Sequence, residues 1–432
     1  MADRRRIEIN VPALARVEGE GALELRIENQ AITDLKLRIF EPPRLFEKFL
    51  EGRNCREVPD MVARICGICP VAYQMSAVQA LEAILGITPG PWVRAMRRVY
   101  YCGEWIESHA LHIHLLAAPD FLGARDITAL ARSHPGAVHR GLRLQALGND
   151  IIRFLGARSV NPVGARVGGF YHAPPEDAAA ALCERIHAAL PEAEALVRWT
   201  ASLPFPEQRQ DFNQVALRHG GEYPMNEGRI VSSRGLAITA DDFECHFEEH
   251  QHPHSTALHC LLDNAPYLVG PLARLNLNLD CLPAALRALV AESGVTFPSN
   301  NMFHSITARA VEIHYALSEA LRLLEGYRRP SSPYEETTPR AGVGCGATEA
   351  PRGLLWHRYE LDEQGRVRRA RIVPPTSQNQ ARIEEDLRTA LPAFGLARDQ
   401  EALRRFSEQL IRNYDPCISC ATHFLDLRVQ RC

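Results

Sequence analysis

Two Cys-x-x-Cys pairs are the residues of this sequence whose type and spacing point most directly to chemistry. Cys66 and Cys69 form the first pair, and Cys417 and Cys420 form the second near the other end of the chain. Pro70 suits the first turn of a helix, so we expect the first pair to face a helix N-terminus, where partial positive charge favours thiolates. Four thiolates from two such loops would make a soft site for zinc, iron or nickel.

The separation of the two pairs along the chain argues against a zinc ribbon. Ribbons place their pairs roughly 15–20 residues apart, whereas Cys417 follows Cys66 by 351 residues. A thioredoxin-like redox site is also unsupported, because no βαβ pattern surrounds either pair. Spacing alone therefore predicts a metal site and leaves the identity of the metal open.

The composition is that of an ordinary globular protein. The chain has 432 residues, of which 46% are hydrophobic and 23% charged, and these fractions exclude disordered, collagen-like and coiled-coil classes. The net charge of −3 gives no sign of a nucleic-acid partner. No apolar run approaches the roughly 20 residues of a membrane span, and no apolar signal core follows the basic start. We therefore expect a cytoplasmic protein without a membrane span.

The elements that must position the cysteines are strands near both ends of the sequence and helices between them. Alternation predicts one β-hairpin over 22–27 and 35–39, and another over 354–359 and 367–373. Helical periodicity predicts helices near 72–85, 92–117, 141–155, 176–200, 282–294 and 303–326. We expect an α+β fold: a single large body with a central bundle of long helices, closed by β-hairpins from both chain ends.

The same pattern predicts one domain over 1–432. The N-terminal hairpin and first cysteine pair fall in 1–86, the helical core in 87–328, and the C-terminal hairpin and second pair in 340–432. The proline-rich stretch 330–339 is the best linker candidate, and no repeat or low-complexity segment accompanies it.

Histidines are a further set of candidate ligands. The segment 248–254 holds three of them, but Pro253 interrupts any helical His-x-x-x-His face, so we expect a polar loop of solvated histidines. His109, His112 and His114 lie on a predicted helix, and we expect them to line the core or to be hydrogen-bonded.

The residues around the two cysteine pairs resemble the large subunit of nickel-iron hydrogenases. Arg-Ile-Cys-Gly-Ile-Cys near the start and Asp-Pro-Cys-Ile-Ser-Cys-Ala-Thr-His near the end carry most of this resemblance. Other landmarks follow in the family's order: 15–21, 46–50, 350–353 and 373–376. The resemblance spans nearly the whole chain and implies the fold of that subunit. It also implies its activity, the reversible heterolytic cleavage of H2 to protons and electrons.

The resemblance implies a role for each cysteine. Cys66 and Cys417 match the terminal nickel ligands. Cys69 and Cys420 match the thiolates that bridge nickel to an iron carrying carbon monoxide and cyanide. The proton from H2 is then expected on Cys417, and Glu18 matches the family's proton-transfer carboxylate.

Further site residues are implied in the same way. Arg352 matches a guanidinium held over the open metal position, where it would pair with Asp120 and Asp415. Pro351 and Thr376 match cofactor-binding positions, and the Thr376 hydroxyl would hydrogen-bond a cyanide, which tunes the metal from outside its ligand shell.

A separate hard-cation site is also implied. Glu47, the carbonyl of Ile372 and His423 match the ligands of a magnesium ion or a second iron, and carboxylate and carbonyl oxygens suit magnesium.

The sequence departs from the family at three places. Tyr73 stands where many relatives have a histidine that donates to a bridging thiolate, and Asn161-Pro162 stands where relatives often have His-Pro. Nine residues follow His423, where precursors in the family are usually cut.

The resemblance also implies partners. Electrons must leave through an iron–sulfur small subunit, since no further close cysteine cluster exists in the sequence. The cytoplasmic, bidirectional, NAD(P)-coupled or sulfhydrogenase-like branch fits best, with diaphorase subunits that bind NAD(P) and flavin, and with maturation proteins. No dinucleotide fingerprint follows a strand here, so any nicotinamide would bind elsewhere.

The alternative function is that of a non-catalytic scaffold in a redox complex, like the quinone-module subunit of complex I, with a structural zinc tetrathiolate. The full set of four cysteines argues against this alternative.

Overall fold

A computed structural model describes residues 6–423. Within them, the chain forms small antiparallel sheets and a set of long helices. The strands are β1 Arg6–Val11, β2 Gly21–Glu28, β3 Ala31–Ile39, β4 Ala165–Arg166, β5 Gly169–Phe170, β6 Val215–Arg218, β7 Arg229–Ser232, β8 Ala237–Ile238, β9 Phe247–His250, β10 His259–Leu262, β11 Gly342–Ala350, β12 Gly353–Leu361 and β13 Val367–Val373.

The helices in the same part of the chain include six that are longer than fifteen residues. They are α1 Phe46–Leu50, α2 Val58–Val62, α3 Pro70–Leu85, α4 Pro91–Leu111, α5 Ala118–Phe121, α6 Ile127–Ser133, α7 Pro135–Gly156, α8 Glu176–Ala201, α9 Phe243–His246, α10 Pro271–Asn278, α11 Ala284–Glu292, α12 Ser305–Glu325, α13 Pro375–Phe394, α14 Gln400–Asn413 and α15 Ile418–Ala421. A π-helix, His112–Ala117, continues α4.

The α+β fold class and the predicted helices are confirmed. Helices α3, α8, α11 and α12 lie within two residues of their predicted bounds, and α4 with its π-helical continuation covers the predicted 92–117. Helix α7 begins at Pro135, six residues before the predicted start, because proline occupies its first turn. Helices α13 and α14 were not predicted.

Both predicted hairpins are present, and each gains a third antiparallel strand: β1 joins β2–β3, and β11 joins β12–β13. Small residues let the second sheet approach α3 closely. A Cβ at Gly344 or Gly346 would collide with the backbone carbonyls of Ala80 and Ser76. The sheet therefore packs directly on the helix that follows the first cysteine pair.

Helix α4 packs on α7 and α12 in the centre of the molecule. The α4–α7 contact is close because a glycine from each helix meets there: a Cβ on Gly148 would lie 2.6 Å from the carbonyl oxygen of Gly103. His109 on α4 shares a 2.9 Å hydrogen bond with Glu312 of α12, and His112 shares one of 2.8 Å with the Arg412 carbonyl. The prediction that these histidines are buried and hydrogen-bonded is confirmed.

The histidine-rich segment differs from the expected solvated loop. Residues 247–250 form β9, which pairs with β10, and the side chain of His254 is only 18% exposed. Burial of Phe247 in a small apolar cluster with β6, β7 and β12 pulls the segment onto the body, which its polar sequence did not indicate.

The end of the described chain runs beside its beginning. The backbone nitrogen of Ile418 donates to the Glu18 carbonyl at 3.0 Å, and those of Arg44 and Phe46 donate to the carbonyls of Thr422 and His423 at 2.8 and 2.9 Å. These bonds hold the second cysteine loop against the N-terminal part of the chain.

No helix within residues 6–423 is long and apolar enough to cross a membrane. The division into one domain stays a prediction. The stretch after His423 and the question of its cleavage lie outside the described residues.

Candidate metal centre

The four paired cysteines meet in one buried cluster. The sulfur of Cys66 lies 3.3 Å from that of Cys417, and the sulfur of Cys69 lies 3.5 Å from that of Cys420. The sulfurs of Cys417 and Cys420 are 2.8 Å apart. All four lie within 4.8 Å of one another, as ligands of a common metal centre must. The structure thus brings together residues from opposite ends of the chain.

Each cysteine loop is held by its own backbone. Cys69 precedes the first turn of α3, and the backbone nitrogens of Ile68 and Cys69 both donate to the Cys66 sulfur at 3.3 Å. Cys417 precedes α15, and its backbone nitrogen donates to the Thr376 hydroxyl at 3.0 Å. The Thr376 hydroxyl accepts in this bond, so its proton stays available for another acceptor.

The electrostatics of the cluster fit a metal. Hydrogen bonds from the other thiols hold the pKa of Cys66 well below its ordinary value, whereas burial raises the pKa of Cys417. Without a cation, buried thiols at these distances cannot all ionise, because like charges in a low-dielectric site repel strongly. A soft divalent metal would remove this penalty and fits a donor set of four sulfurs.

Tyr73 lies beside the cluster, at the position where the sequence departs from the family's histidine. Its phenol is buried, and its oxygen has no hydrogen-bond partner among the described residues. Burial and the negative charge of Cys420 and Cys69 raise the pKa of Tyr73 well above 10. A neutral phenol beside a thiolate is an available donor, so this departure from histidine keeps the donor and loses the positive charge.

Glu18 connects the cluster to the surface. Its Oε2 accepts from the Cys417 thiol and from the backbone nitrogen of Ser419, both at 3.1 Å. The Glu18 residue is half-buried whereas Cys417 is fully buried. A carboxylate in this position can take a proton from the thiol and pass it outward.

Arg352 and Asp415 form a buried ion pair next to the cysteines. The Arg352 Nε donates to the Asp415 carbonyl at 2.8 Å, and Nη2 donates to the Asp415 carboxylate at 3.1 Å. Burial opposes the charge of Arg352, but Asp415 and Cys417 outweigh that effect and raise its pKa. The pair thus holds the Arg352 guanidinium in a fixed position.

Asp120 does not pair with Arg352, so that part of the expected site is wrong. Its carboxylate accepts from Arg412 Nε at 2.7 Å and Nη2 at 2.9 Å, and it also pairs with Arg16. Two arginines from distant parts of the chain bind the Asp120 carboxylate. The sequence around Asp120 does not indicate these partners.

Buried charged residues around Arg352 were missed by the sequence analysis. Arg352 Nη1 lies 3.5 Å from the Ser108 hydroxyl, and Arg309 lies 4.0 Å from Asp415. Burial is the main cause that raises the pKa of Glu107 well above its ordinary value. Glu107 and Arg309 sit in ordinary helical sequence, so only tertiary packing reveals that they are buried.

The residues expected at a second metal site also lie together. Glu47 Oε1 accepts from the Ile372 nitrogen at 2.7 Å and lies 3.5 Å from His423 Nε2. His423 Nε2 is 2.8 Å from the Ile372 carbonyl oxygen, and its Nδ1 is 2.6 Å from the Cys420 carbonyl oxygen. His423 thus contacts both Ile372 and the second cysteine loop. Pro351 directly precedes Arg352 in the tight turn between β11 and β12, and its carbonyl accepts from Arg274 at 3.1 Å.

The sequence of the chain is similar to those of known hydrogenases. A family model described as nickel-dependent hydrogenase matches residues 44–145 and 263–423, which include all four cysteines. The chain is 32% identical to sulfhydrogenase 1 subunit alpha of Pyrococcus furiosus, over 98% of this chain and 99% of that protein. It is 26% identical to the NAD-reducing hydrogenase HoxS subunit beta of Cupriavidus necator, over 96% of this chain and 94% of that protein.

The fold is also similar to that of a solved structure. A crystal structure of an NAD+-reducing NiFe-hydrogenase in the H2-reduced state matches with a TM-score of 0.85 at 27% identity, over 97% of this chain and 99% of that chain. The resemblance inferred from the motifs is confirmed. The alternative of a zinc-bearing scaffold is not favoured, because these relatives are hydrogenases and the four cysteines form one cluster.

Proposed function

The chain belongs to the nickel-dependent hydrogenase family as a large, catalytic subunit that acts on H2, and from this premise we propose which of its residues hold the metals and move the proton. The observation that carries the proposal is the contact between the four-sulfur cluster and Glu18. It places a carboxylate within hydrogen-bond distance of one metal-binding thiol.

The four cysteines are the ligands of the active-site metals in this proposal. Cys66 and Cys417 would hold nickel as its terminal ligands, and Cys69 and Cys420 would bind both nickel and an iron that carries carbon monoxide and cyanide. When bound, this nickel–iron centre supplies the redox chemistry that polarises H2 and accepts its electrons. The buried position of all four sulfurs keeps bulk water from that centre.

The chain's own residues then move the proton. Cys417 receives it on sulfur and passes it to Glu18 Oε2 at 3.1 Å. The Ser419 nitrogen donates to the same oxygen and fixes the carboxylate in place. Because Glu18 is half-buried, it can release the proton towards solvent and return to its ionised form.

Arg352 supplies a positive charge next to the cluster. Its two bonds to Asp415 fix the plane of the guanidinium, and the negative charges of Asp415 and Cys417 raise its pKa. Such preorganised charge stabilises negative charge that develops during reaction without reorganisation. We propose that Thr376 donates to a cyanide on the iron, with its oxygen held by the Cys417 nitrogen.

Glu47, the Ile372 carbonyl and His423 are proposed to hold a magnesium ion. The Ile372 carbonyl oxygen lies 2.8 Å from His423 Nε2, and Glu47 Oε1 lies 3.5 Å from the same nitrogen. One carboxylate, one carbonyl and one imidazole thus lie together, and magnesium ordinarily completes such a set with water. His423 also contacts the Cys420 carbonyl, so an ion there would brace the second cysteine loop.

A large subunit of this family pairs with an iron–sulfur small subunit, through which its electrons leave. We propose that diaphorase subunits carry them on to NAD(P), because the relatives include an NAD-reducing hydrogenase. We also propose a cytoplasmic location.

Anaerobic turnover of the purified complex tests this function. We expect H2 to reduce a viologen dye and also NAD+ or NADP+. If H2 reduces the dye but neither NAD+ nor NADP+, the proposed electron acceptor is wrong and the hydrogenase activity stands. Absence of both reactions in nickel-replete protein would reject the proposed roles of the four cysteines.

A further inference from the structure

His254, His259 and Glu384 form a cluster of possible metal ligands that is distinct from the sites above. One ligand atom from each residue lies within 4.8 Å of the others. His254 Nε2 is 3.0 Å from Glu384 Oε1, and His259 Nε2 is 3.9 Å from the same oxygen. Ligands bound tetrahedrally at about 2.0–2.1 Å lie about 3.3 Å apart, so both distances are close to those that one ion would impose.

The state of His259 is the independent observation that points to a ligand. This residue is only 2% exposed, yet neither of its ring nitrogens has a hydrogen-bond partner among the described residues. Buried polar groups are ordinarily satisfied, because an unpaired one loses its bonds to water without compensation. A metal ion bound to Nε2 would satisfy the imidazole.

The ligands are held by three different elements. His259 lies on β10, His254 lies in the turn from β9, and Glu384 lies on α13. Thr256, within that turn, donates its hydroxyl to the carbonyls of Ile39 and Glu41 at 3.0 and 2.9 Å. The turn is therefore fixed before any ion binds.

Glu384 is held in a fixed orientation, and a cavity lies next to the cluster. Glu384 Oε1 also accepts from the Leu37 nitrogen at 2.8 Å, which orients the carboxylate. His254 lines a cavity of about 1050 Å³, together with His252, whose ring centroid lies 4.3 Å from that of His259. An ion can reach the cluster from this cavity, and His252 lies beside His259.

We propose that His254, His259 and Glu384 bind one zinc ion. Two imidazoles and a carboxylate are a zinc ligand set, whereas magnesium favours oxygen ligands throughout. The ion would tie the β9–β10 hairpin to α13, the helix whose Thr376 contacts the Cys417 nitrogen. The proposal does not rest on the hydrogenase function, because none of these residues contacts the four cysteines.

Metal analysis of the intact complex tests this proposal. After removal of loosely bound metal by chelator, we expect one more zinc per large subunit in wild type than in His259→Gln or Glu384→Gln. The control His246→Gln changes a partly exposed histidine of α9 and should keep that zinc. Cobalt(II) added to zinc-depleted complex should give visible ligand-field absorption in wild type and in the control, but not in the two variants.

Equal zinc in all four proteins, with no difference in the cobalt spectrum, would overturn the proposal. If the variants of buried residues do not fold, His254→Gln tests the same ligand set from the cavity wall. Retention of the zinc in that variant would overturn the proposal as well. Viologen reduction by the same samples separates this outcome from a failure of the hydrogenase function, since we expect H2 turnover to persist within about twofold in every variant.

Discussion

Glu18 and Cys417 are 399 residues apart in the chain, yet the Cys417 thiol donates to the Glu18 carboxylate at 3.1 Å. A parallel backbone bridge between the same two residues supports that contact, so the side chains are placed by main-chain bonding and not by their own attraction alone. The relationship gives the buried sulfur one short route to solvent.

Replacement of Glu18 by glutamine tests that route. The amide keeps the size and can still bond to Ser419, but it cannot accept a transferable proton. We expect H2 oxidation to fall by about 10²- to 10⁴-fold, the usual contribution of a general base, while nickel content is unchanged. Glu20→Gln, two residues away and exposed, is the matched control. Near-normal turnover in Glu18→Gln would show that the proton leaves elsewhere.

Arg352→Lys tests the fixed guanidinium. Lysine keeps the charge but cannot make both bonds to Asp415 with one planar group. We expect H2 oxidation to fall by about 10- to 100-fold, equivalent to about 1.4 to 3 kcal/mol, with metal content retained. Arg358→Lys, which alters a partly exposed ion pair with Glu244, should leave the rate unchanged; an equal loss in both variants would contradict a specific role.

Cys417→Ser tests the ligand assignment. A hydroxyl is a poor ligand for a soft metal, so we expect nickel content to fall to near zero and activity with it. Cys102→Ser changes a cysteine that is equally buried but contacts Met225, and it should keep nickel. Wild-type nickel content in Cys417→Ser would exclude Cys417 as a required ligand.

Glu47→Gln tests the second metal site. Loss of the carboxylate charge should remove one magnesium per large subunit, measured in the purified complex, because magnesium binds neutral amides weakly. Glu51→Gln, close in sequence but paired with Lys48 at the surface, should keep it. Equal magnesium in both variants and in wild type would place the ion elsewhere.

Asp386 predicts a pH dependence of stability. Burial raises its pKa to about 6, although its bond to Tyr414 opposes the rise. The native state therefore holds this proton up to a higher pH than the unfolded state. The protonated carboxyl contributes about 3 kcal/mol to the free energy of unfolding below about pH 4. This contribution is lost as the pH rises from about 4 to about 6.

Asp386→Asn is uncharged at every pH, so its melting temperature relative to wild type should rise between pH 4 and pH 7. Glu363→Gln, at an exposed turn, should show no such trend. A constant difference between Asp386→Asn and wild type would contradict the raised pKa.

The four cysteines could be predicted from residue type, because two Cys-x-x-Cys pairs indicate a metal site and each pair lies just before a helix. Glu18 and Glu47 could be predicted only through the resemblance to the family, because a lone carboxylate in a turn is ordinarily a solvated charge. The pairing of Asp120 could not be predicted, because its partners Arg16 and Arg412 come from opposite ends of the chain. Local sequence carries no information about such long-range ion pairs.

The missed helices have a related cause. The first turns of α13 contain Ser377, Gln378 and Gln380, which read as a polar loop but are fully buried. Their side chains bond to neighbouring backbone, as Gln378 does to the Leu354 carbonyl, so burial depends on partners far away in the chain. Helix α14 had a local signal that was overlooked: Asp399 caps its N-terminus.

An infrared spectrum of the anaerobically purified, nickel-replete complex tests the central claim most directly. Carbon monoxide and cyanide bound to iron absorb in a window where protein groups do not, and we predict bands of both in wild type and their absence in Cys420→Ser. A wild-type spectrum without these bands would contradict the assignment of the four cysteines to a nickel–iron centre.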